Sequence, residues 1–122
     1  MSLNLVVLIL CHVTLGLLVV SKFADCLSTQ LFVRHETNLL GRWLMERIGR
    51  APAIWLIFLV ACGISIASWA PVVMLNSYTE YRLGFIFAGG LISLFQFAVA
   101  HTNYTGTPNF ITRIVSRWRI HR

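Results

Sequence analysis

Three long stretches of this chain contain no Asp, Glu, Lys or Arg, and this feature limits the possible folds more than any other. The charge-free runs cover residues 1–21, 51–79 and 83–112, so they are 21, 29 and 30 residues long. A helix that crosses a bilayer needs about 20 predominantly apolar residues. Only 11% of the chain is charged, whereas soluble domains average about 25%. The sequence therefore predicts an all-α integral membrane protein with three transmembrane helices, and excludes secreted, cytosolic and fibrous proteins.

We expect a single membrane domain over residues 1–122, because three spans and their short connectors use the whole length. The predicted spans are residues 3–33, 51–73 and 82–100. No room remains for a separate catalytic domain, and the chain contains no P-loop, GxSxG, HExxH or CxxC motif. We therefore expect a protein without enzymatic activity and without a metal site.

The connectors contain further structural signals. In the first one, Asn38 is a candidate N-cap for a short helix over residues 39–48. Residues 101–106 are predicted to form a polar turn after the third span. Thr107 and Pro108 then suit the start of an amphipathic helix over residues 108–120 that lies in the membrane interface.

The positions of the arginines orient the chain, since basic residues accumulate on the cytoplasmic side of short loops. The first connector holds four arginines, the second holds only Arg82, and the tail holds four. We therefore predict an outside N-terminus and an inside C-terminus, most simply in a bacterial inner membrane. The net charge of +6 then reflects topology and not nucleic-acid binding. We expect lipid headgroups to contact the tail through Arg113, Arg117, Arg119 and Arg122.

Polar residues form a stripe along the first span, at the roughly 100° per residue of a helix. Such a stripe should face protein or water, because lipid offers it no hydrogen-bond partner. A carboxylate in a span costs about 2.5 to 3.5 kcal/mol even on a lenient scale, and Lys22 is the nearest partner for Asp25. The pair is either structural or part of a proton, ion or ligand site. The stripe comprises Asn4, Cys11, Thr14, Ser21, Lys22, Asp25 and Thr29.

Two histidines belong to the candidate residues. His101 is expected at the same depth as Asp25, where a contact between them would either move protons or orient the turn after the third span. His12 lies near the middle of the first span. An intramembrane histidine either binds a haem or chlorophyll metal or forms a hydrogen bond with a neighbouring helix. The sequence identifies no cofactor.

Small residues recur at helix-contact spacing on the other two spans, where they allow close approach of helix backbones. The second span carries two such faces, more than a lone three-helix hairpin needs, which suggests contacts beyond the protomer. One face comprises Ala61, Ser65 and Ser68, and the opposite one Gly63 and Ala67; the third span carries Gly89, Ser93, Gln96 and Ala100.

The runs Asp25-Cys26-Leu27-Ser28-Thr29 and Glu36-Thr37-Asn38-Leu39-Leu40 together resemble an uncharacterised family of small three-helix prokaryotic membrane domains. That family has an Asp and a Thr one turn apart late in the first span, and Leu39 stands where it usually has Pro. The resemblance implies a three-helix membrane fold and no particular activity. The architecture is also similar to that of class I phage holins, which share the length, the three spans and the basic tail.

The leading hypothesis is a small accessory or scaffold subunit that packs against other transmembrane subunits or against copies of itself. The first alternative is a holin-like protein whose polar stripe lines a membrane lesion. The second is a membrane transporter or enzyme that uses Asp25 and His101.

Overall fold

The computed structural model is all-helical and describes residues 2–32, 39–74, 79–106, 109, 111, 113 and 114. Its helices are α1 (Leu3–Phe32), α2 (Leu39–Ile48), α3 (Arg50–Met74) and α4 (Thr79–Thr105). Helices α1, α3 and α4 are long and apolar enough to cross a membrane. This confirms the all-α class, and the three long apolar helices are consistent with a multi-pass membrane protein.

Two of the predicted connector elements can be compared with the structure. The short helix predicted over residues 39–48 is present with those bounds. The polar turn predicted over residues 101–106 is wrong, because α4 continues to Thr105. Thr105 Oγ1 donates to the His101 carbonyl at 2.9 Å, so a polar side chain is satisfied within the helix. Gly106 ends α4 with a φ of 70° and an N–H donated to the Thr102 carbonyl, the role that glycine commonly has after a helix.

Other predictions fall on residues whose structure is not described. Asn38, the predicted cap of α2, lies outside the described residues. So does most of the helix predicted over residues 108–120, although the Arg113 N–H donates to the Asn109 carbonyl at 2.9 Å. The Asn109 side chain donates to the Ala98 carbonyl at 2.7 Å. Asn109 therefore contacts α4 near Ala98.

Helix α1 is the centre of the bundle. It packs extensively against α4 and α3, whereas α3 and α4 contact each other only sparsely. Gly49 adopts a left-handed conformation, with a φ of 96°, and is the only residue between α2 and α3. This sharp corner lays α2 against α3. The buried apolar cluster of the bundle comprises Val7, Cys11, Leu18, Val72 and Phe85.

Candidate functional site

Helices α1 and α4 meet along a series of small and polar residues that we call the α1–α4 seam. Its three pairs are Thr14 with Gly89, Ser21 with Gln96, and Ser28 with Asn103. The partners in each pair are 75 positions apart, so the two helices are parallel and in constant register. Both helices contribute to the seam every seven residues, the period of left-handed coiled packing.

Two of the three residue pairs in the α1–α4 seam are joined by hydrogen bonds. The fully buried Ser21 hydroxyl donates to Gln96 Oε1 at 2.6 Å. Seven residues further along each helix, Asn103 Nδ2 donates to Ser28 Oγ at 3.0 Å. Ser28 in turn donates to the Asp25 carbonyl at 2.9 Å. Ser21, a member of the polar stripe, is therefore satisfied within the protomer, and so is the neighbouring Ser28.

Steric fit determines the third level of the seam. Gly89 is buried, and a Cβ atom at this position would overlap the Thr14 methyl group and lie 3.3 Å from Leu18 Cδ1. The Thr14 hydroxyl points elsewhere and donates to the Leu10 carbonyl at 2.7 Å. Glycine thus fits residue 89 because the Thr14 side chain occupies the space that a Cβ atom would need.

Ser93 lies one turn beyond Gly89 on α4 and is also buried. Its hydroxyl oxygen has no hydrogen-bond partner among the described residues. A buried hydroxyl without a partner is costly, so Ser93 is the least satisfied polar residue on this face of α4.

Lys22 and Asp25 form an ion pair on α1. Lys22 Nζ lies 3.1 Å from Asp25 Oδ2, and the two side chains are 18% and 20% exposed. Thr29, one turn further along, donates its hydroxyl to the Asp25 carbonyl at 2.8 Å. The pair satisfies both charges locally, since each ion has an opposite charge within hydrogen-bond distance.

The structure does not join Asp25 to His101, although it places them at similar depth. Because paired residues of α1 and α4 are 75 positions apart, Asp25 is level with Ala100, the neighbour of His101. Ala100 is buried, whereas His101 is exposed on a different side of α4. His101 Nδ1 lies 3.5 Å from Asn109 Nδ2, and no hydrogen bond or ion pair connects it to Asp25, both residues being among those described.

His12 contacts α3. Trp69 Nε1 donates a hydrogen bond to His12 Nδ1 at 3.0 Å, and the ring centroids are 5.6 Å apart. Because an indole N–H is only a donor, Nδ1 must present its lone pair, and a neutral His12 then carries its proton on Nε2. A metal needs a free ring lone pair. In this arrangement His12 is a helix-contact residue, and ligation of a haem or chlorophyll metal would require that the bond to Trp69 break.

The two small-residue faces of α3 have different surroundings. Ala61, Ser65 and Ser68 are half-buried. Ser65 Oγ donates to the Ala61 carbonyl at 2.8 Å, and the Ser68 carbonyl accepts a hydrogen bond from the Tyr81 hydroxyl of α4. Gly63 and Ala67 are exposed on the other face, and a Cβ atom on Gly63 would have nothing within 4 Å. One face therefore packs inward and the other is uncovered in the described protomer.

Two of the arginines that the sequence analysis counted for topology bind the ends of preceding long helices. Arg82, which is only 9% exposed, donates from Nε and Nη2 to the Val72 carbonyl at 3.2 and 2.9 Å. Arg50 Nη2 donates to the carbonyls of Thr29 and Gln30 at 2.7 and 3.5 Å. The last carbonyls of a helix lack intrahelical partners and carry its negative dipole end. Each arginine thus caps the long helix that precedes its own.

The remaining predicted site residues are on the tail. Arg113 is exposed, while Arg117, Arg119 and Arg122 lie outside the described residues. No group of three or more His, Cys, Asp or Glu side chains suited to a metal ion occurs in the part of the chain that the structure describes.

Comparison with known proteins gives no match, whether with family models, with curated proteins or with solved structures.

Proposed function

We propose that this chain is a small multi-pass membrane subunit without enzymatic activity, which assembles through its helix faces with other transmembrane subunits or with itself. The observation that carries the proposal is the uncovered face of α3 at Gly63 and Ala67. Helix α3 is the least buried of the three long helices. A small residue every four positions allows close contact between spans, where no hydrophobic force between helices is available.

The contacts of α1 support an accessory subunit over a holin-like pore. A pore-lining stripe must leave its polar groups free for water. Here Ser21 bonds to Gln96, Lys22 neutralises Asp25, and the hydroxyls of Thr14 and Thr29 donate to carbonyls of α1. Opening a lesion along this stripe would require separation of α1 from α4.

The orientation remains a proposal from the arginine distribution, with the N-terminus outside and the C-terminus inside a bacterial inner membrane. The C-terminal amphipathic helix would then hold the tail arginines against anionic headgroups of the inner leaflet. A reporter fused after Arg122 should be active in the cytoplasm, and one inserted between Asn76 and Glu80 should be active outside. The opposite pattern would overturn the orientation.

Assembly is tested by exchanging exposed small residues for leucine. Gly63→Leu with Ala67→Leu should reduce the assembled species in mild detergent, as measured by light scattering and by the stoichiometry of any co-purifying subunit. Gly90→Leu is the matched control, because Gly90 is also exposed with open space around it but lies on α4. A wild-type chain that is monomeric and alone would contradict the proposal, as would equal effects of the two changes.

The alternatives have separate readouts. A holin-like protein should abolish the membrane potential abruptly on induced expression, whereas an accessory subunit should accumulate without this effect. A transporter or enzyme using Asp25 should lose activity in Asp25→Asn while its assembly is retained. If Asp25 serves only as the partner of Lys22, then Lys22→Leu should restore the assembly that Asp25→Leu impairs.

A further inference from the structure

Helix α2 occupies a distinct position relative to the three long helices. It lies between the end of α1 at Phe32 and the start of α3 at Arg50, so it is at the end of the bundle where these helices would leave the bilayer. Arg50 keeps the two ends together through its bond to the Thr29 carbonyl. The left-handed Gly49 then directs α2 back along the start of α3.

The two sides of α2 differ in chemistry. The side toward the bundle contains the buried Gly41 and the half-buried Leu44 and Met45. The outward side exposes 70% of Leu40 and 51% of Trp43. Its exposed charged residues are Arg42, Glu46 and Arg47.

Trp43 and Arg47 form a pair on this outward side. The Arg47 guanidinium carbon Cζ lies 5.2 Å from the centre of the Trp43 ring. Stacking on a ring uses the face of a guanidinium and leaves the N–H groups at its edge available. Within the described residues, the guanidinium N–H groups of Arg42 and Arg47 take part in no hydrogen bond or ion pair.

We propose that the outward side of α2 binds the phosphate groups of anionic phospholipids. Tryptophan prefers the headgroup region of a bilayer, and a guanidinium edge matches a phosphate with two parallel hydrogen bonds. Trp43 fixes the depth of the helix and holds Arg47 beside it, while Arg42 adds a second cation. This assignment depends on the membrane location in the proposed function, and it concerns a lipid site separate from the arginines of the tail.

The test measures which lipids stay bound to the full chain. The protein is purified from bilayers with equal phosphatidylglycerol and phosphatidylcholine, and the retained lipids are counted by native mass spectrometry. We expect phosphatidylglycerol to be enriched, and Arg42→Gln with Arg47→Gln to reduce the enrichment by about fivefold for each arginine. Glu46→Gln is the matched control on the same side, because it removes a charge of the opposite sign, and it should preserve or increase the enrichment.

Several outcomes would overturn the inference. The wild-type chain could retain the two lipids equally, or the double glutamine variant could retain phosphatidylglycerol over phosphatidylcholine as strongly as the wild-type chain does. The third such outcome is an equal loss of phosphatidylglycerol enrichment in Glu46→Gln. Circular dichroism of each variant reports whether the helices remain folded. Arg42→Lys with Arg47→Lys keeps the charge but loses the planar guanidinium, so its enrichment should lie between that of the wild-type chain and that of the double glutamine variant. Flotation with vesicles separates this failure from that of the proposed function. A chain that inserts, but whose anionic preference does not depend on Arg42 and Arg47, contradicts only the α2 lipid site, whereas a chain that does not insert contradicts both.

Discussion

Helix α1 contacts its two long neighbours in different ways. Against α4 it presents small and polar residues every seven positions, and their hydrogen bonds and close side-chain fit define the register of the two helices. Against α3 it uses large rings, with Phe23 lying 5.7 Å from Trp55 and 5.9 Å from Phe58 between ring centroids. Close-packed small residues tolerate little change, whereas aromatic side chains adjust their positions. Two indole N–H groups of α3 also donate to α1, from Trp55 to Gln30 and from Trp69 to His12, but both bonds are exposed. We infer that α1 and α4 form a closely fitted unit on which α3 is held with more freedom.

The largest effect should come from filling the closest point of the α1–α4 seam. Gly89→Leu places a side chain where a Cβ atom already overlaps the Thr14 methyl group, so the helices must separate. We expect a loss of about 3 kcal/mol, at the upper end of overpacking costs. Unfolding by SDS in mixed micelles, followed by circular dichroism, measures the change.

Gly90→Leu provides the matched control for this prediction. Gly90 is the next residue on α4, is exposed, and a Cβ atom added to it would have nothing within 4 Å. It should therefore change stability by much less than Gly89→Leu. Equal losses from the two leucines would show that the seam does not control the packing of α4.

The second largest effect should come from the arginine caps that connect α3 to the rest of the bundle. Arg82→Met removes two hydrogen bonds from a charged donor to the Val72 carbonyl and should cost about 2 kcal/mol. Arg50→Met should cost less, because Arg50 is more exposed and water can replace it at the end of α1. The same SDS titration ranks the two variants. A larger loss in Arg50→Met would reverse the assignment of Arg82 as the stronger cap.

Much of the fold could be predicted from the sequence because charge and periodicity report on it directly. The charge-free runs located the three long apolar helices, and the 100° spacing identified the stripe that includes Ser21. The pairing of Ser21 with Gln96 was not predicted, since it depends on the relative register of two helices whose paired residues are 75 positions apart. The seven-residue recurrence of Arg82, Gly89, Gln96 and Asn103 on α4 was the available signal.

The wrong prediction of a turn at His101 and the unpredicted capping role of Arg82 share a physical cause. A charged or polar residue can lie outside a span or be satisfied by a backbone group inside it, and composition does not separate these cases. His101 was assigned to a turn although α4 continues to Thr105. Arg82 was counted as a loop charge although it is buried against the end of α3. The Arg82 contact depends on the position of the Val72 carbonyl, which only the packed helices define.

A smaller effect is expected for the hydrogen bond between Ser21 and Gln96. A double-mutant cycle with Ser21→Ala and Gln96→Leu isolates the interaction. Hydrogen bonds between spans contribute about 0.6 kcal/mol on average in such cycles, and this value is expected here. A coupling near zero would mean that shape alone, and not polar pairing, fixes the register of the α1–α4 seam.

The smallest effect should be found on the α3 side, at the bond between Trp69 Nε1 and His12 Nδ1. Trp69→Phe removes the donor and His12→Phe removes the acceptor, while both keep a ring that can pack against its neighbour. Because the rings are partly exposed and retain their contact, we expect a coupling below about 0.5 kcal/mol. If instead this cycle gives a coupling larger than that of Ser21 and Gln96, then α3 is bound to α1 by a specific polar contact and lacks the freedom inferred here. That result would also weaken the case that α3 is the helix that receives a partner, since adjustment of α3 upon assembly would break the contact.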